Sequence, residues 1–379
     1  TSEADEVSSV EFESSSESEE QEGVAASTSD AAKDPNRILL SYREHAIDVL
    51  SLIGPMIMCE VLQNTLLVID VAFVGNLPDN NDTAAAALAI AWFNIWDAVM
   101  LGYNTAIDTF LSQAYGAKEL KGYGMWTGTG LVLAMIVTCF ISGLMALCGP
   151  AMKLFGQDEA LAERAGHFSY ALIPGLFPFY AFKVLLKYLQ CQDIVMPTVW
   201  IGFFAVGANI LLNWLLIYKL DMGLNGAPWA TSLIRFAELV VICGYIVWNR
   251  HSEKLQATLP ILSREMWTME TLSPFCKLAS SGALGLSAEM WSFEVLTIMS
   301  GLFGTAALTA QVITMSISAF VFNSFAFAIG MSASIRVAQW IGEGSVENAQ
   351  RSTIVSFLLA LSLQVVLISA LLPSKDWIG

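Results

Sequence analysis

Long apolar segments recur along this chain, and they limit its fold more than any other feature. Nine of them can be recognised, separated by short polar stretches. A helix needs about 20 consecutive apolar residues to cross a bilayer core about 30 Å thick. The apolar residues are continuous rather than alternating, which excludes a transmembrane β-barrel. Only 14% of the residues are Asp, Glu, Lys or Arg, so a large soluble core is a poor alternative. The chain is predicted to be an all-α integral membrane protein.

The apolar segments predict nine membrane-spanning helices, several of them long enough to be tilted or kinked. Their approximate positions are 46–75, 84–113, 125–148, 166–189, 195–220, 227–248, 274–303, 305–335 and 350–373. If the N-terminus lies in the cytoplasm, thirteen Lys and Arg fall on the inside and four on the outside. Cytoplasmic loops carry an excess of Lys and Arg. The sequence therefore predicts a multi-pass protein with a cytoplasmic N-terminus, without distinguishing the plasma membrane from an organelle membrane.

Acidic residues are concentrated at the N-terminus. Residues 1–36 contain eleven Asp and Glu but a single base, Lys33, within a Ser-rich stretch. This composition predicts a disordered acidic cytoplasmic tail over residues 1–40. No basic patch indicates nucleic acid.

Two similar stretches indicate an internal repeat, as many transporters have. They are GYNTAIDTFLSQAYGAKE (102–119) and GMSASIRVAQWIGEGSVE (330–347), each with a first Gly and another fourteen residues later, at an offset of 228. The repeat predicts an N-lobe at 41–248, a cytoplasmic linker at 249–273 and a partial C-lobe at 274–379. At this offset a complete second half would end near residue 476, so three more helices are expected. A protein of nine helices is the alternative.

Ionisable groups inside apolar spans are costly and are candidate functional sites. Asp70 lies late in the first span, and Glu289 and Glu294 lie in the seventh. Neither Asp70 nor Glu289 has a basic residue within one helical turn. A carboxyl group in such a setting can bind and release a proton, or coordinate a small cation such as sodium. These three acids are the predicted ion-coupling residues.

Other charged residues of the spans have structural interpretations. Arg235 and Glu238 stand at spacing i, i+3 and are predicted to pair with each other. Asp108 lies near a predicted helix end, so we expect it at the membrane interface. For Asp97 a structural and a functional role are both open.

Uncharged polar residues and prolines suggest a substrate cavity and moving parts. Asn209 and Asn213 are one turn apart in the fifth span, where they could line a cavity or bind neighbouring helices. The predicted cavity residues are Asn209, Asn213, Gln113 and Trp291. Pro55 and Pro274 each precede a candidate carboxylate by fifteen residues, so a helix bend is predicted at each, with coincidence as the alternative.

The sequence gives no support for an enzyme. It contains no GxSxG, HExxH or Walker-type motif, and its His and Cys residues lack metal-ligand spacing. We therefore expect no cofactor and no metal site, with only a proton or sodium ion as the coupling ion.

The motifs together resemble the multidrug and toxic compound extrusion (MATE) family. GYNTAIDTFLSQAYGAK is similar to the end of that family's second helix, and LQCQDIVMP (189–197) to its fourth-to-fifth connection. NILLNWLLIYKLDMGLNGAPWATSL (209–233) resembles its fifth and sixth helices, and AEMWSFEVLTIMSGLFG (288–304) the seventh helix of eukaryotic members. The resemblance covers about residues 40–373. It implies a two-lobed, V-shaped bundle of twelve helices, of which about nine are present here.

The resemblance also implies roles for residues. Asp70 matches the acid of the first helix, Glu289 and Glu294 match the two acids of the seventh, and Asn209 matches an asparagine of the N-lobe. Members with a proton site in the N-lobe often have Asp where this chain has Asn213. The acid expected on a tenth helix would lie beyond residue 379. The resemblance does not say which lobe couples to the ion.

The function expected from these observations is secondary active antiport by alternating access. Organic, cationic or xenobiotic solutes would be exported in exchange for protons or sodium. A passive channel or facilitator is an alternative, as is a lipid-linked precursor flippase of related architecture, for which we would expect a more basic cavity. The expected partners are a small organic substrate and the lipid bilayer, with the protein acting as a monomer.

Overall fold

The computed structural model describes residues 39–78, 80–260, 267–301, 315 and 318–378. Most of this backbone is helical. The principal helices are α1 (Tyr42–Gly75), α2 (Asn80–Gly116), α3 (Leu120–Ala146), α4 (Cys148–Leu154), α5 (Glu159–Gln190), α6 (Met196–Asn213), α7 (Gly226–Trp248), α8 (Glu253–Thr258), α9 (Met269–Gly301), α10 (Ala328–Gly342) and α11 (Val346–Ile378). The acidic tail, predicted over 1–40, lies outside the described residues up to position 38.

Eight helices in the described part of the chain are long and apolar enough to cross a membrane. They correspond to eight of the nine predicted spans. The exception is α9, which is helical across the predicted seventh span but is not among these eight, and its sequence is interrupted by Ser residues, Glu289 and Glu294. The all-α membrane architecture predicted from the apolar segments is confirmed.

Helix α1 begins earlier than its apolar pattern predicts because a capping box fixes its start. The Ser41 hydroxyl accepts from the Glu44 backbone N–H, and the Glu44 carboxylate accepts from the Ser41 N–H. This exchange satisfies two N–H groups that would otherwise be unpaired at a helix start. Further along α1, Pro55 lies inside a continuous helix, as Pro274 does in α9. The bends predicted at these prolines stay predictions.

Helix α5 is at the centre of the first six spans and packs against α2, α3 and α7. Tyr180, Phe182 and Tyr188 of α5 are almost fully buried. Small residues allow the close approach of α7, since a Cβ on Gly175 would lie 2.8 Å from the Ser232 Cα. Small residues have this role in membrane helix packing generally, because they let backbones meet.

Helix α2 connects this group to the later helices. Near the middle of α2, a Cβ on Gly102 would lie 2.0 Å from the Ala283 backbone nitrogen of α9. At its end, a Cβ on Gly116 would lie 2.0 Å from the Gln339 carbonyl oxygen of α10, and one on Gly342 would lie 2.1 Å from the Gln113 carbonyl oxygen. The α2–α10 crossing therefore tolerates no side chain at these glycines.

The crossing is reciprocal, and it revises the spacing of the repeat. Gln113 and Gly116 of α2 face Gly342 and Gln339 of α10. Gln339 follows Gln113 by 226 residues, and Gly342 follows Gly116 by the same number. The glycine pattern predicted an offset of 228. The paired Q-x-x-G segments fit the observed contacts better, because each contributes a glycine to the other's backbone.

Candidate ion-coupling site

Asp70 lies at the centre of a cluster formed by three helices. Its Oδ1 accepts from Asn213 Nδ2 at 2.8 Å and from Asn209 Nδ2 at 3.1 Å, both from α6. Its Oδ2 accepts from the Thr231 hydroxyl of α7 at 2.8 Å. Asp70 and Thr231 are partly buried, whereas Asn209 and Asn213 are almost fully buried. Asp70, Asn209 and Asn213, which were selected separately from the sequence, thus lie together in the structure.

The α6 sequence places both asparagines on the same side of the helix. Residues four apart in an α-helix share a face, and Asn213 Nδ2 lies 2.7 Å from Asn209 Oδ1. Asn213 is the last residue of α6, and the chain continues as a π-helical segment, Trp214–Lys219. π-helical turns are rare in proteins, and those that occur frequently lie at functional sites.

Asn213 and Thr231 have fewer N–H and O–H hydrogens to donate than there are acceptor oxygens within their reach. Asn213 Nδ2 has two hydrogens but three acceptors within reach, which are Asp70 Oδ1, Asn209 Oδ1 and the Asn209 carbonyl oxygen. The Thr231 hydroxyl has one hydrogen for Asp70 and the Ala227 carbonyl oxygen. Asn213 Oδ1 has no hydrogen-bond partner among the described residues. The cluster can therefore accept one more proton if the Asn213 amide turns so that its Oδ1 faces Asp70.

Neutral donors, rather than a directly paired base, surround the Asp70 carboxylate. Arg235, one turn after Thr231 on α7, attracts it electrostatically but forms no ion pair with it in the described part of the chain. A carboxylate held by hydrogen bonds alone can change its charge without breaking a salt bridge. This property suits a group that binds and releases an ion.

Arg235 and Glu238 do not pair with each other, so the predicted i, i+3 ion pair is wrong. The Arg235 guanidinium lies over the rings of Phe179 and Phe93, at 4.3 and 5.2 Å from their centroids. Glu238 Oε1 accepts from Gln63 Nε2 of α1 at 2.8 Å. Partners on other helices thus replace the local pair.

Two further acids have defined partners. Asp97 Oδ1 accepts from the Tyr180 hydroxyl at 3.0 Å. Asp108 is buried and forms an ion pair with the equally buried Lys187 of α5 at 2.8 Å. Its position at the membrane interface stays a prediction.

The other predicted site residues lie elsewhere. Gln113 is at the α2–α10 crossing, near the end of the bundle where α1 begins, whereas Asp70 is near the opposite end of α1. Trp291 of α9 is partly exposed and donates to the Ile95 carbonyl oxygen of α2 at 3.3 Å. Glu289 and Glu294 are on α9, and their side chains lie outside the described residues.

Two residues of these clusters were not predicted from the sequence. Thr231 donates to Asp70, and Gln63 donates to Glu238. The available signal was their position as polar residues within apolar spans. Among the residues searched, no group of three or more His, Cys, Asp or Glu could hold a metal ion.

The chain is similar to known proteins in sequence and in structure. The MatE family profile matches residues 55–215 and 283–379. The chain is 28% identical over 346 residues to Multidrug and toxin extrusion protein 1 of Oryctolagus cuniculus, covering 90% of this chain and 59% of that protein. It is 28% identical over 311 residues to Protein DETOXIFICATION 14 of Arabidopsis thaliana, covering 81% of this chain and 62% of that protein. The chain thus spans about three fifths of the length of these relatives.

Solved structures share the fold. The crystal structure of a eukaryotic MATE transporter superposes with a TM-score of 0.81 at 23% identity, covering 88% of this chain and 74% of that one. A multidrug resistance MATE family transporter in an outward-facing conformation gives a TM-score of 0.76 at 18% identity, covering 88% and 73%. At these identities the likeness establishes the helix arrangement alone.

Proposed function

The chain belongs to the MATE family of membrane transporters, and we propose that it exports small organic solutes in exchange for protons, with Asp70 carrying the exchanged proton. The observation that supports this proposal is the Asp70 cluster, in which three neutral donors hold a carboxylate that pairs with no base among the described residues. Such a group can bind a proton in one state of a transport cycle and release it in another.

A proton fits the cluster better than sodium does. Both asparagines present their amide nitrogens, not their oxygens, to Asp70. Hard cations are bound by oxygen ligands, so sodium would require both amides to turn over. A proton needs less change, because only the Asn213 amide must turn for its Oδ1, which lacks a partner in the described part of the chain, to accept from a protonated Asp70.

Substrate and proton can be coupled only if they bind the two states of the transporter differently. We propose that protonation of Asp70 from outside favours substrate release, and that substrate binding from the cytoplasm favours deprotonation. This direction assumes the cytoplasmic N-terminus that the distribution of Lys and Arg predicts. Glu289 and Glu294 are proposed as a second ion-coupling group in the later helices.

The family supports a class of substrate. The relatives are described as multidrug and toxin extrusion proteins. We therefore propose small organic cations as the first compounds to test.

The test is uphill transport in proteoliposomes that contain the full chain. Accumulation of tetraethylammonium against its gradient is measured with an imposed pH gradient, an imposed sodium gradient, or neither. The proposal requires accumulation with the pH gradient. Accumulation with sodium alone would overturn the assignment of the ion, and equilibration without accumulation in every condition would favour a passive facilitator.

A further inference from the structure

The α2–α10 crossing lies beside a charged contact that also links early and late helices. Arg336 of α10 reaches two carboxylates on different elements. Its Nη2 lies 3.1 Å from Asp48 Oδ1 on α1, and its Nη1 lies 3.1 Å from Asp193 Oδ2 in the turn between α5 and α6. One guanidinium thus connects three elements of the bundle at the end where α1 begins.

The turn that carries Asp193 is shaped for this contact. Asp193 has a φ of 63°, a left-handed conformation that Asp tolerates better than most residues. Gln339, one turn after Arg336, accepts from Arg336 Nη1 at 3.0 Å and donates to the Cys191 carbonyl oxygen at 3.0 Å. The Arg336 side chain therefore has a defined position, and it is only 11% exposed.

The ion pairs of Arg336 also lie where they can break. The side chains of Asp48 and Asp193 are about one third exposed, at 33% and 34%. A cavity of about 680 Å³ adjoins them, and Asp48, Asp193, Arg336 and Lys118 are among its lining residues. Ion pairs that water can reach are individually weak, so these pairs can break and reform during a conformational cycle.

We propose that Arg336 is a latch that holds this end of the bundle closed. In the conformation described, its two ion pairs join α10 to α1 and to the α5–α6 turn, while Gly116 and Gly342 bring the backbones of α2 and α10 together. Opening this end requires α10 to move away from these elements, which breaks both ion pairs. The latch rests on the proposed function only in that a transporter must open at this end.

The test measures a distance across the closure in the full chain. Spin labels are placed at Ala117, after α2, and at Val346, at the start of α11, both of which are exposed. The exposed Cys139, Cys243 and Cys276 are first replaced by serine. Pulsed electron–electron double resonance then gives the populations of short and long distances between the two labels. In Arg336→Gln, the latch predicts that the ratio of long to short distances rises about threefold to thirtyfold, the range that two partly exposed ion pairs can supply.

Three comparisons separate the latch from general disturbance. The double variant Asp48→Asn with Asp193→Asn should give the same rise, and adding Arg336→Gln to it should give no further rise. Arg336→Lys, which keeps the charge but loses the forked geometry, should lie between. Lys118→Gln removes a positive charge from the same cavity, where Lys118 forms no ion pair among the described residues, and should leave the distances unchanged.

Each outcome decides the proposal. Unchanged distances in Arg336→Gln, or an equal rise in Lys118→Gln, would overturn the latch. The distances do not depend on transport. A rise in Arg336→Gln together with absent pH-driven uptake by the wild-type protein would overturn the antiport function and keep the latch. Unchanged distances in Arg336→Gln together with pH-driven uptake by the wild-type protein would overturn the latch and keep the antiport function.

Discussion

Asn213 donates an amide N–H to Asp70 at 2.8 Å, while its own carbonyl oxygen has no hydrogen-bond partner among the described residues. The Asn213 amide can therefore act either as a hydrogen-bond donor or as a hydrogen-bond acceptor toward Asp70. It stabilises the ionised carboxylate as a donor, and after rotation its oxygen can accept a hydrogen bond from the O–H of the neutral acid. Such a residue can support both charge states of its neighbour, as ion exchange requires.

The Thr231 hydroxyl should contribute to transport through Asp70. In Thr231→Val the donor is lost at nearly constant volume, which removes a hydrogen bond to a charged group worth about 1.5–3 kcal/mol. We expect the initial rate of pH-driven uptake to fall about tenfold or more. Thr231→Ser keeps the donor and should stay close to the wild-type rate. Equal rates in the Val and Ser variants would contradict a role for the hydroxyl.

Gly342 should be the least replaceable glycine of α10. In Gly342→Ala the new Cβ would meet the Gln113 carbonyl oxygen at 2.1 Å, so α2 and α10 must separate. Overpacking of this kind costs about 1–3 kcal/mol, and we expect a lower thermal unfolding midpoint. Gly330→Ala is the control on the same helix, since no atom of the described residues lies within 4 Å of its Cβ position, and its midpoint should not fall. A stable Gly342→Ala protein would show that the crossing is looser than described.

Lys187 should be essential for folding although it lies outside the candidate ion-coupling site. Lys187→Met leaves Asp108 as a buried charge without its partner, which costs about 3–5 kcal/mol. The double variant Lys187→Met with Asp108→Leu should recover most of this loss. Lys153→Met breaks an exposed ion pair with Glu159, so it should unfold like the wild type. The comparison can be made by thermal unfolding in detergent, and an undisturbed Lys187→Met protein would argue against a buried pair.

Sequence reasoning was most successful where one helix carries the signal. Asp70 is an acid in an apolar span, and Asn209 and Asn213 share a helix face, so each could be selected without knowing its neighbours. The structure then places these three residues together. Thr231 was not selected, because a threonine within an apolar span is common and its value depends on facing Asp70.

Reasoning failed where partners come from other helices. The spacing of Arg235 and Glu238 permits a local ion pair, but the Arg235 guanidinium packs on the Phe179 ring, and Glu238 accepts a hydrogen bond from Gln63. Gln113 stays a predicted cavity residue, and the packing of its backbone on Gly342 was not predicted. A single sequence does not specify which face of a helix meets which neighbour, so contacts between helices could not be predicted.

Glu289 on α9 is the second predicted coupling group. In Glu289→Gln we expect folded protein in the membrane but no coupled efflux, because a glutamine cannot bind and release a proton as the second coupling group. Membrane insertion is checked by extraction and size-exclusion chromatography, and efflux by loaded vesicles. Normal coupled efflux in this variant would leave the Asp70 cluster as the remaining candidate for coupling.

The central claim is that Asp70 carries the exchanged proton, and uphill uptake of tetraethylammonium in proteoliposomes with an imposed pH gradient tests it most directly. Asp70→Asn keeps the size of the side chain but cannot be ionised, and Asp97→Asn makes the same change at another acid of the spans. We predict accumulation against the gradient in the wild type and in Asp97→Asn, and only downhill equilibration in Asp70→Asn. Wild-type accumulation by Asp70→Asn would contradict the claim.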